Sequence, residues 1–344
     1  KSKGDFSTAE AQYLEAIRLF RKVGGDQSPM LASGLDALGN MYRQQSKLAL
    51  AREALEESFA IRQAILPAED VLLALSLNNL ALCFFDLGDF DGASARFQQA
   101  LKIVTEARGT EHPLVAPVMS NLAGVETALG HFDAAAKLLR DALDMSVSAW
   151  GKDHVRTAAA RHNLAKALTG LGEYSEAEEL LRDALKTRVA QLGEQDLSVA
   201  LSRDALAYTL RKAGKIDEAE ALNQQAVLIF RQRKDQPLSL AFALSNGASI
   251  ASDRGDYRSA MDHIQEAIEL AGKVLPKVHW QIAQMRSNRG TILLRLDDLD
   301  AAEPVLRESH QVLLETLGPD HPSTREAAQH LAEIARKQKV TAKE

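Results

Sequence analysis

Apolar and small residues recur three and four positions apart along nearly the whole chain, and no stretch sustains the strict alternation of a half-buried strand. Around Gly88 the pattern reads Leu80, Ala81 and Phe84, then Phe90, Ala93, Phe97 and Ala100. Such spacing predicts two amphipathic helices meeting at the glycine, which ends the first helix in a left-handed turn that costs it nothing. Ala81, Ala93 and Ala100 are small where two helices must cross closely. The joint recurs at Gly4, Ser46, Gly88, Gly130, Gly172, Gly214, Gly255 and Asp297, at intervals of 42 residues with one of 41. LLRDAL at Leu138–Leu143 returns at Leu180–Leu185, one interval on. Self-similarity at a fixed period marks a solenoid, in which each unit buries its apolar face only against its neighbours.

The second joint carries Ser28, Asp70, His112, His154, Asp196, His279 and His321 in one phase, with Pro29, Pro113 and Pro322 following three of them. A capping side chain followed by Pro predicts a helix start. Asp89, Glu173, Asp256 and Asp298 open the second helices, matching the positive ends of their dipoles. The pattern predicts one array over 1–338: a half repeat at 1–24, seven helix pairs over about 28–318 and a closing helix over about 322–338, with 339–344 as a disordered tail. The chain starts without Met inside a repeat, which points to a missing upstream segment.

The run NLALCFFDLGDFDGASARFQQAL, Asn79–Leu101, resembles the tetratricopeptide repeat. The 42-residue period, with GTEHPLVAPVMSNLA and GPDHPST, resembles its kinesin-light-chain variety. The resemblance implies an all-α fold, a right-handed superhelical solenoid of antiparallel helix pairs. It also implies a protein-interaction scaffold whose first helices line a groove for an extended or helical peptide.

Asn79, Asn121, Asn163, Asn246 and Asn288 hold one position of the first helix, nine before the joint. Asn weakens a helix relative to Ala, so its recurrence calls for a reason. Its amide can donate to and accept from a peptide backbone, and the resemblance implies that use; the alternative is a bond across to the next repeat. Neighbours on the same face vary and would set specificity, among them His162, Lys166, Asp204 and Tyr208. Arg161, Arg203, Arg211, Arg286 and Arg295 add positive charge in the C-terminal half. If these cations converge they favour an acidic partner; otherwise they form a solvated face paired with nearby carboxylates.

Charge and composition narrow the field. A net charge of −6 gives no basic footprint for nucleic acid or an anionic membrane. No apolar run approaches a membrane span, and lone Cys83 excludes an internal disulfide and suits the cytoplasm. The recurring histidines sit two helix widths apart, too far for one metal, so neither metal nor cofactor is expected. GLDALGN, Gly34–Asn40, lacks the lysine of a phosphate loop. No catalytic motif appears, and the chain reads as a non-enzyme. Two other functional readings stay open: a regulatory or sensor arm of a larger signalling protein, and a self-associating structural array. Oligomeric state is not legible.

Overall fold

The computed structural model describes residues 3–233 and 236–341. The described residues form sixteen helices and no strand. Their contacts divide the chain into two compact units, Lys1–Thr127 with Asp133–Gly151, and Ala128–Phe132 with Lys152–Glu344. The 42-residue phase predicted as one array runs through both.

In the first unit α1 (Lys3–Gly24) stands alone. The pairs α2 (Pro29–Gln44) and α3 (Leu48–Ile65), and α4 (Val71–Leu87) and α5 (Phe90–Arg108), follow it. Next come α6 (Val115–Ala128) and α7 (Phe132–Trp150). The second unit holds the pairs α8 (Val155–Leu171) and α9 (Tyr174–Leu192), and α10 (Leu197–Lys212) and α11 (Ile216–Gln232). It continues with α12 (Pro237–Asp253) and α13 (Tyr257–Gly272), then α14 (Trp280–Arg295) and α15 (Leu299–Leu317), and ends with α16 (Pro322–Thr341).

The joint inside each pair is left-handed. Gly88, Gly130, Gly172, Gly214 and Gly255 all have φ near +80°, and Ser46 and Asp297, which replace glycine in that slot, still adopt φ of 56° and 60°. The backbone geometry is therefore imposed by the close helix crossing rather than by glycine. Gly4 differs, because α1 begins at Lys3 and takes it into the helix.

At the other joint Asp70, His154, Asp196 and His279 accept the backbone N–H two residues on, and His112 and His321 do the same through Nδ1. Ser28 makes no such bond. Asp89, Asp256 and Asp298 likewise cap α5, α13 and α15, whereas Glu173 makes no capping bond. Two helix boundaries depart from expectation. The closing helix runs on to Thr341, so 339–341 are helical; residues 342–344 lie outside the described residues. The other is α6, which starts at Val115 rather than at Pro113. Pro117 explains the shift: in a helix begun at Pro113 it would need an N–H it lacks, whereas from Val115 it falls in the first turn.

The core is a set of columns. The second-helix position nine after the joint is Leu55, Phe97, Leu139, Leu181, Ile264 and Leu306, each at most 1% exposed. Ala81, Ala93 and Ala100 are fully buried at the crossings. Cys83 is buried too, its thiol 3.7 Å from the Leu48 carbonyl and its pKa pushed up to about 11 by burial. It is a small core residue.

Candidate functional site

The asparagine column lies on the first helices, as expected, but its amides face their neighbours. Asn121 donates to Asn78 Oδ1 at 2.8 Å. Asn246 donates to the Asp204 carbonyl and to its Oδ1, at 3.2 and 3.0 Å. Asn288 donates to the Ser245 carbonyl at 3.0 Å and to Ser249 Oγ at 2.9 Å. In these three the amide donates to the preceding first helix, whereas the expectation has it serving a peptide backbone. It also reverses the direction of the bridging alternative. Asn79 and Asn163 are half-buried and make no side-chain hydrogen bond among the described residues.

A second polar element was not expected. In the apolar second-helix column the residue on α11 is Asn223, buried like the others. Its amide donates to the Ala243 carbonyl at 2.9 Å and to Asp204 Oδ1 at 3.1 Å. Gly247 makes this fit: a Cβ there would lie 2.6 Å from Asn223 Oδ1. Asp204 thus accepts from the side chains of two asparagines on two helices. Burial raises its pKa, and the bonds from Asn246 and Asn223 and the charge of Lys166 oppose the rise. The signal was legible as one polar letter in an apolar column, though on the helix that does not face the groove.

On α8, His162 and Lys166 lie one turn apart on the same unit's first-helix face. Lys166 is exposed, yet the protein enclosing it lowers its pKa by desolvation, with Asp204 opposing. His162 Nδ1 is buried without a hydrogen bond. Burial first, then Arg188 and Lys166, hold the imidazole well below its ordinary pKa, so it is neutral.

Further along, α10, α12, α14 and α16 frame a groove of about 270 Å³ whose lining includes Tyr208, Arg211, Phe242, Asn288 and Glu326. Tyr208 is 43% exposed. Arg211 and Arg295 both donate to Asp253, each at 2.9 Å. Burial pushes the Asp253 carboxyl up, but the two guanidiniums outweigh it and hold the pKa below the usual range. Arg286 is half-buried on α14 and does not line the groove. Arg161 donates to the Lys152 carbonyl and Arg203 pairs with Glu194, so those two cations have partners of their own. The basic residues therefore converge only in part.

No helix among the described residues is long and apolar enough to cross a membrane. The histidines at the helix starts serve as caps, and the described residues contain no group of three metal-ligating side chains.

Comparison with known proteins agrees with this architecture. The tetratricopeptide repeat model matches residues 2–64, 72–146 and 281–341, and a second model of the same description matches 157–196, 199–233 and 241–281. A search of curated protein sequences finds no match. Among solved structures, the TPR-like repeats of a kinesin light chain candidate from Podosopora anserina are 25% identical, with TM-score 0.50, covering 60% of this chain and 98% of that one. A Rap protein complexed with competence and sporulation factor is 16% identical, with TM-score 0.60, covering 98% and 99%. NprR in complex with its cognate peptide NprX is 13% identical, with TM-score 0.59, covering 97% and 84%. At those identities the last two show the shared fold alone. Such repeats build protein–protein interaction scaffolds that are typically non-catalytic. The chain belongs to the tetratricopeptide repeat family, with kinesin-light-chain-like 42-residue units.

Proposed function

We propose that the C-terminal unit is a peptide-binding module that takes an extended, acidic segment of a partner protein along the first-helix face of α8, α10, α12, α14 and α16. The observation that carries the reading is Lys166: an exposed cation on the first-helix face, one turn from a neutral imidazole and with no ion pair among the described residues. A carboxylate on the ligand would gain a charge-assisted hydrogen bond from Lys166. Tyr208, one repeat further along the same face, offers an exposed ring beside Arg211 for an apolar or planar side chain. Within this unit Asn163 keeps the backbone-reading role assigned from sequence, while Asn246 and Asn288 hold first helix to first helix. The complex of NprR with its cognate peptide NprX, on the same fold, supports the mode of binding.

The test is selection of random linear peptides against the full chain, beside Lys166→Glu and Tyr208→Ala variants with verified folding. The expected result is an Asp- or Glu-containing motif enriched by the parent and lost with Lys166→Glu. Equal enrichment by all three proteins would move the interaction elsewhere and favour a regulatory arm or a self-associating array.

A further inference from the structure

The first unit contains an open space that does not belong to the groove just described. A cavity of about 730 Å³ lies between the last turns of α5 and α7, over the loop before α6 and the start of that helix. Its walls include the apolar side chains of Leu101, Met119 and Met145 and the carboxylates of Glu111, Asp141 and Asp144. No cation is among the residues that line it.

Two local departures from the repeat create it. Pro117 delays α6 to Val115, so the turn that would cover this end is a loop. The second departure shows by comparison with the copy 42 residues on. There Gln191, the counterpart of Ala149, donates to the carbonyl of Asp153, the counterpart of Glu111, and bridges the space. Here Ala149 is too short to bridge, and both Ala149 and Glu111 line the opening. Charge departs as well: position 144 is Asp, while its counterparts in the flanking repeats are Lys102 and Lys186.

We infer that this cavity is a second interaction site, one that receives a short amphipathic segment of a partner protein presenting an apolar anchor flanked by Lys or Arg. An apolar floor removes the anchor from water, and methionines adapt to its shape. Three carboxylates without a compensating cation select positive flanks and repel acidic ones. The site therefore prefers the opposite charge to the groove on the second unit.

The experiment uses the full chain with ¹³C-labelled methionine methyl groups. The probe is a helical peptide of roughly 16 residues, with Leu at helical spacing and Lys elsewhere, beside the same peptide with Glu for Lys. The Leu/Lys peptide should shift the Met119 and Met145 methyl signals, and the Leu/Glu peptide should not. Ala149→Gln, which restores the bridge, and Asp144→Lys, which restores the neighbouring charge, should each weaken binding about tenfold or more. Both introduce residues that neighbouring repeats already accommodate, and either suffices if the other unfolds. Tyr208→Ala should leave the affinity unchanged, which separates this site from the groove. Unshifted methionine signals, equal binding of the two peptides or unchanged affinity in both variants would overturn the inference. So would dodecylamine binding as tightly as the peptide, since the cavity would then take a small amphiphile.

Discussion

Arg62 in the first unit and Arg188 in the second occupy the same position of the repeat, and both are buried. Arg62 pairs with Asp36 and donates to Ser76. Arg188 donates to Ser202 Oγ at 2.6 Å and to the Ser198 carbonyl at 3.0 Å, and Ser202 is the counterpart of Ser76. The counterpart of Asp36 is His162, a neutral ring whose own pKa Arg188 helps to depress. One arrangement is thus closed by a carboxylate in contact, and in the other the opposing charge, Asp196, acts on the arginine without an ion pair. The difference teaches that the scaffold holds a buried arginine in either form, with a carboxylate in contact or with hydroxyl and carbonyl acceptors alone.

The largest expected effect breaks the closed form. Asp36→Ala should destabilise by about 3 to 5 kcal/mol, because it strands a buried guanidinium; chemical denaturation measures it. A loss no larger than that of a surface substitution would mean Arg62 does not depend on its carboxylate. The converse change, His162→Asp, closes the second copy and should abolish the acidic-peptide enrichment predicted for the groove while leaving the fold intact.

Next in size is a pH effect that the cap His321 shares with His162. His321 is buried, and burial lowers its pKa from 6.5 to about 4 against an opposing hydrogen bond to the Ala128 backbone. Its folded pKa lies below the unfolded one, so the unfolded chain binds the extra proton and stability falls as pH drops from about 6.5 to about 4. The fall should reach at most about 3 kcal/mol. His321→Asn, which caps without titrating, should make that part of the stability profile shallower, the remainder coming from His162. A parent profile already flat over this window would show that the ring is not held neutral.

Much of this was legible in the sequence because capping and helix crossing are local. A left-handed joint needs only its few neighbours, so even Ser46 and Asp297 read correctly once the period was known. The delayed start of α6 turns on Pro117 competing with Pro113, two local signals that the repeat phase alone ranks wrongly. The amides were harder. A half-buried Asn on a first helix can meet a ligand or the preceding helix with the same spacing, and only coordinates tell the two apart. Asn223 shows the other limit: its polarity was visible, but its partner Asp204 lies 19 residues away on another helix.

The pair Asn223 and Asp204 yields the next prediction. Asn223→Leu restores the apolar column but leaves the Ala243 carbonyl without the amide it receives, and Asp204 with one side-chain donor fewer. It should therefore cost about 1 to 3 kcal/mol despite the added apolar surface. Combining it with Asp204→Ser, the residue found at the matching positions 120, 245 and 287, should recover part of the loss. Additive losses would mean that the two residues are not coupled.

The smallest effect separates two uses of one residue type. Asn246 and Asn163 occupy the same position on first helices of the same unit, yet only Asn246 bonds to the helix before it. Asn246→Ala removes two donations to Asp204, one to a carboxylate that burial already disfavours, and should cost about 1 kcal/mol or somewhat more. Asn163→Ala removes no bond within the protein and replaces a weak helix former with a strong one, so melting should change by less than about 0.5 kcal/mol, with either sign. If Asn163 reads a peptide backbone, its loss appears only in binding, as a weakened affinity for peptides selected by the parent. Equal destabilisation by both substitutions would make the column structural throughout, and recognition would then rest on Lys166, Tyr208 and their neighbours alone.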